Sequence, residues 1–106
     1  MFIKFNDLDM LDFFENEPIF IGEEGEAGYI YSIKDSHLLS MTLTVDIYAR
    51  KIDISVSYNN NTIFAGNFDN ILEIRKNEDV LLVELESSKH LVLKKYPCLG
   101  VVMEEM

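Results

Sequence analysis

LSMTLTVDIY, residues 39–48, decides the fold class. Leu39, Met41, Leu43, Val45 and Ile47 alternate with Ser40, Thr42, Thr44, Asp46 and Tyr48. Successive side chains of an extended chain point to opposite faces, so this stretch has one apolar face and one polar face. A helical winding would mix the two. The next segment, KIDISVSY at 51–58, repeats the pattern: Ile52, Ile54, Val56 and Tyr58 alternate with Asp53, Ser55 and Ser57. The junction Ala49–Arg50–Lys51 joins the two strands as a hairpin.

The same pattern extends outward from this hairpin. Asn59–Asn60–Asn61 is a turn, because Asn tolerates positive φ and its side chain imitates a backbone turn. Further strands are expected at Thr62–Phe68, Ile71–Lys76, Val80–Glu86 and Lys89–Tyr96. The turns Asn77–Glu78–Asp79 and Ser87–Ser88 separate the later ones. Gly66 marks a bulge or a close approach. Leu99–Met103 is a last piece that pairs on an edge. On the amino-terminal side, Tyr29–Lys34 is rich in β-formers, and Met1–Phe5 alternates weakly as a first short strand. Seven or eight strands exceed what one flat sheet of this size holds, so the antiparallel meander must curl into a sandwich or an open barrel. The fold class is mainly β, of α+β type, with one short N-terminal helix.

That helix is expected over Asp7–Glu17. Asn6 is its N-cap, and Asp7 and Asp9 in the first turn meet the positive end of the helix dipole. At about 100° per residue, Leu8, Met10, Leu11 and Phe14 share one side and Asp9, Asp12 and Asn16 the other, with Phe13 at the boundary. Pro18 stops the helix. Three turns are marginal alone, so the apolar side must pack on the rest of the fold.

The 106 residues suffice for one domain, 1–106, and a 48% apolar fraction with 7 Phe and 5 Tyr supplies a core. No apolar run approaches the ~18 residues of a membrane span. Asp7, Asp9 and Asp12 interrupt any secretory signature, so the chain is expected in the cytoplasm.

Most chemistries find no residues to carry them. Cys98 is the single cysteine, which precludes an internal disulfide, and it is read as a buried, inert thiol. His37 and His90 stand alone beside turns and lack the base–nucleophile context of hydrolases. Gly22, Gly25 and Gly28 could cradle phosphate, but Glu23, Glu24 and Glu26 bring the wrong charge. The twelve-residue calcium-loop pattern is absent, and nothing pairs two carboxylates in a cleft for acid–base work. No metal, cofactor or enzymatic activity is expected.

Charge distribution is more informative. Nineteen acids against nine bases give −10, which disfavours phosphate backbones and anionic lipid as partners. Residues 1–28 hold eight acids and one base, net −7; residues 29–106 hold eleven and eight, net −3. Charge kept for solubility alone would be spread and mixed with bases. The helix and the following GEEGEAG loop are therefore read as an acidic binding surface. Phe13 would be its aromatic anchor.

In size, acidity, acidic helix-plus-loop region and β-rich body, the chain resembles the small immunity proteins of bacterial toxin systems. The resemblance implies a binding module that neutralises a toxin by occupying its basic active-site cleft. Many such toxins are nucleases, and an acidic surface can enter the cleft as a phosphate mimic, with electrostatic steering speeding the encounter. The contact residues would be Asp9, Asp12, Phe13, Glu15, Glu23, Glu24 and Glu26. Two other readings compete. A barrel or sandwich could hold a small ligand against Tyr29, Tyr31, Tyr48 and Tyr58. Alternatively, a structural subunit could assemble through an edge strand near Leu99–Met103.

Overall fold

The computed structural model describes residues 2–22 and 28–105. Two five-stranded sheets face each other across one apolar core. In chain order the elements are β1 (Lys4–Phe5), α1 (Asp7–Phe14), β2 (Ile19–Ile21), β3 (Gly28–Lys34), β4 (Leu39–Asp46) and β5 (Lys51–Tyr58). They continue as β6 (Asn61–Phe68), β7 (Ile71–Asn77), β8 (Val80–Leu85), β9 (Lys89–Lys94) and β10 (Gly100–Glu105). One sheet runs β2-β3-β4-β5-β6 and is antiparallel throughout. The other runs β1-β7-β8-β9-β10, antiparallel except where β1 lies parallel to β7. The molecule is a sandwich, not a closed barrel.

The alternation read in residues 39–48 holds through Asp46. Met41, Leu43 and Val45 are buried, and opposite them Val56, Ile54 and Ile52 are buried too. From the facing sheet Ile74, Leu81, Val83, Leu91 and Leu93 complete the core. Ile47 and Tyr48 lie in the turn beyond β4, which spans residues 47–50 and ends on Arg50 at φ 56°. The Asn turn behaves as read: Asn59 and Asn60 sit at φ 48° and 67°, the left-handed pair that a two-residue hairpin loop demands.

Gly66 is a close approach and not a bulge. A Cβ there would lie 2.9 Å from the Phe68 ring, while the ladder slips at Ile63, nearer the Asn turn, where Val56 pairs with Phe64 and Ser57 with Thr62. The strand β2 carried no alternation in the sequence, and its three residues Ile19, Phe20 and Ile21 are all exposed. Pattern reading finds strands by their buried face, and β2 has none.

Two clamps tie the sheets together. Near one, Arg50 Nη1 donates to Glu86 Oε1 at 2.7 Å, and Ile71 N donates to the Arg50 carbonyl at 3.1 Å. At the other, Asp35 on the β3–β4 turn accepts from His37 N, Leu39 N and Leu99 N at 2.8, 3.0 and 3.4 Å. Leu99 precedes β10, so one carboxylate joins a turn of one sheet to the last strand of the other.

Candidate functional site

Asn6 caps α1 as expected, its side-chain oxygen accepting from Leu8 N at 2.8 Å and Asp9 N at 3.4 Å. The helix ends earlier than expected. Glu15 turns into the left-handed region at φ 59° and its N–H bonds to the Leu11 carbonyl, closing the helix three residues before Pro18.

The buried face is also different. Met10, Phe13 and Phe14 are each 0% exposed, while Leu8 is 73% and Leu11 40% exposed. The buried side is rotated by about a quarter turn from the side shared by Leu8, Met10, Leu11 and Phe14. Its neighbours set the rotation: α1 packs on both β3 and β7, across the two sheets. An aromatic cluster in which Phe14 stacks on Tyr31 at 5.2 Å and meets Phe13 edge-on at 5.0 Å fills the seam. Two aromatic rings bury more apolar surface there than two leucines would.

Phe13 is therefore a core residue and not a surface anchor. Its ring also carries this chain's own cation, with Lys95 Nζ 5.1 Å from the centroid. The helix acids are engaged in cis as well. Lys76 Nζ lies 2.7 Å from Asp12 Oδ2, Lys76 N donates to Asp9 Oδ2 at 3.3 Å, and Lys95 Nζ lies 3.6 Å from Glu15 Oε2. The hydrogen bond and charge of Lys76 hold the Asp12 carboxyl below the usual carboxylate range, and Asp12 raises Lys76 in turn. Glu23, Glu24 and Glu26 lie outside the described residues. Of the carboxylates that the sequence places in one run, those on the helix are thus braced by two lysines.

Sequence reading passed over a second acidic region. A groove of about 750 Å³ opens where β4, β5 and β6 meet the ends of β2 and β3. Asp46, Asp53 and Asp69 line it with a single base, Lys51, and Tyr48 stands 61% exposed at its side. Asp46 accepts from Ala49 N at 3.1 Å and so holds the β4–β5 turn. Asp53 and Asp69 have no ion pair or side-chain hydrogen bond among the described residues. Gly22 and Gly28, the two ends of the acidic loop, also line the groove. Asp46, Asp53 and Asp69 are far apart in sequence, so no local charge run announced them; only the strand pairing gathers them.

The tyrosines do not form one ligand site. Tyr31 is 2% exposed within the core cluster, and burial, then the charge of Asp7 and the neighbouring Tyr29, pushes its phenol up to about 12. Tyr29 packs against Phe5 and Phe20. Tyr58 is half-exposed beside the Asn turn, and Tyr48 alone of the four borders the groove. Cys98 is half-buried rather than enclosed. His90 lies on β9, just past the Ser87–Ser88 turn, and faces Glu104 across the β9–β10 ladder at 3.0 Å. No set of three or more metal-ligating side chains occurs among the described residues.

No protein-family model and no curated protein matches the sequence. The fold does have a solved likeness: a chain in a contact-dependent growth inhibition toxin–immunity protein complex from Klebsiella pneumoniae 342. The two superpose with a TM-score of 0.81 over 98% of each chain, at 20% identity. Such a likeness extends from end to end and concerns the fold.

Proposed function

We propose that this chain is an immunity protein: a non-enzymatic inhibitor that binds a bacterial toxin domain in the cytoplasm and blocks its action. The observation that carries this reading is the end-to-end fold likeness to a chain of a toxin–immunity complex. Charge supports the immunity side of such a complex. A net −10 opposes any chain that must grip nucleic-acid phosphates, and suits one that must meet a protein which does. A nuclease toxin with a basic substrate cleft is the partner this field fits best. Long-range attraction would raise the rate of encounter and fall with salt.

The helix acids Asp9, Asp12 and Glu15 contribute to that field, although Lys76 and Lys95 offset part of it. The test is a binding titration against the toxin domain encoded by the adjacent reading frame. A 1:1 complex whose association slows steeply between low and physiological salt supports the reading. Absence of a complex at any salt concentration contradicts it.

A further inference from the structure

The two sheets present four edges, and three are poor templates for another strand. β1 has two residues and β2 three. β10 carries Glu104, paired to His90. Short edges and edge charges are the devices that keep a sheet from adding further strands. β6 lacks them. Its eight residues, NTIFAGNF, contain no charge and no proline in a chain that is 26% charged. It pairs with β5 alone, so every second residue directs backbone N–H and C=O away from the sheet. Asn61 through Ala65 are all exposed, including Ile63 at 62% and Phe64 at 39%. The slip in the ladder lies near the Asn turn, and beyond it the pairing from Phe64 to Phe68 is regular.

This edge leads into the acidic groove. Asn67 on β6 and Asp69 just past it are lining residues, next to Asp53 on β5, the cross-strand partner of Asn67. A strand added to β6 would lie one strand beyond Asp53 and beside Asp69, within reach of long side chains, and these two carboxylates make no ion pair among the described residues. Charge selects the occupant. A second copy of the chain would bring another −10, whereas a cationic segment would neutralise the groove.

We propose that β6 is the docking edge for an extended, basic segment of the protein partner. That segment adds as a sixth strand and sets its lysine or arginine side chains over Asp53 and Asp69. The proposal rests on the immunity reading above and names the surface that reading uses. Main-chain hydrogen bonds would supply affinity and the groove would supply the charge preference.

The experiment measures binding of the adjacent toxin domain to four proteins: the wild type, Ala65→Lys, the double variant Asp53→Asn/Asp69→Asn, and Val102→Lys on the exposed face of β10. Circular dichroism and thermal melting confirm that each is folded. Ala65→Lys, which sets a cation on the edge, is expected to weaken binding at least tenfold. The double variant slows association and flattens its salt dependence. Val102→Lys binds within twofold of wild type. Wild-type binding that survives both β6-side changes within twofold overturns the docking edge and leaves the immunity reading standing. Failure of the wild type to bind overturns both. A wild-type dimer that Ala65→Lys dissociates assigns the edge to a second copy and also overturns the proposal.

Discussion

Lys76 on β7 holds Asp12 on α1, with Nζ 2.7 Å from Oδ2. The two residues are far apart in sequence, and their pairing fixes the acidic helix to the sheet. A run of acids that looks unopposed in one dimension has a counter-charge in three. The pair has a pH signature. The Asp12 carboxyl is held low by Lys76, so its contribution is full above the ordinary carboxylate range and is lost as pH falls through and below it. Asp12→Asn is expected to lower the melting temperature at pH 7, with the difference from wild type shrinking as pH falls below the ordinary carboxylate range, read from melts at constant ionic strength.

Phe13 gives the sharpest contrast between a surface and a core role. Its ring is 0% exposed against Phe14 and under Lys95. Phe13→Ala is expected to cost about 3–5 kcal/mol of stability by chemical denaturation, the usual range for a deleted core ring. An anchor on the surface would leave stability nearly unchanged.

Leu8 and Leu11 make the complementary case. Both are exposed. Replacing each with Gln is expected to change unfolding free energy by about 0.5 kcal/mol or less, as for ordinary surface substitutions. A loss of several kcal/mol would return them to the buried face.

Asp35 serves as the link between sheets. Its burial works to raise the carboxyl, but the N–H groups of His37, Leu39 and Leu99 outweigh it and hold the group low. Asp35→Ala removes the acceptor for all three and is expected to cost about 1–3 kcal/mol at neutral pH. The difference from wild type should persist above the usual carboxylate range and shrink as pH falls through and below it. Hydrogen exchange should rise first at Leu39 and Leu99.

The sandwich was legible because its strands each bury one face. The alternation at Leu39–Asp46 and Lys51–Tyr58 located two central strands, and the Asn turn located the hairpin that follows. Legibility failed where burial is not periodic. β2 has three exposed residues, and α1 faces inward through Phe13 and Phe14 because two sheets, not the helix itself, choose its rotation. The acidic surface was legible only as composition. Charge counting found Asp9, Asp12 and Glu15, but not the lysines that meet them from β7 and from the end of β9. It missed Asp46, Asp53 and Asp69, which only strand pairing brings to one groove.

The central claim is that this chain protects a cell by binding a toxin domain. Growth of cells producing the adjacent toxin domain, with and without this chain, tests it most directly. Growth restored in the presence of the chain, with the two proteins recovered as a stable complex, is the predicted result. Arrest unchanged by equal or greater amounts of the soluble, folded chain would contradict the account.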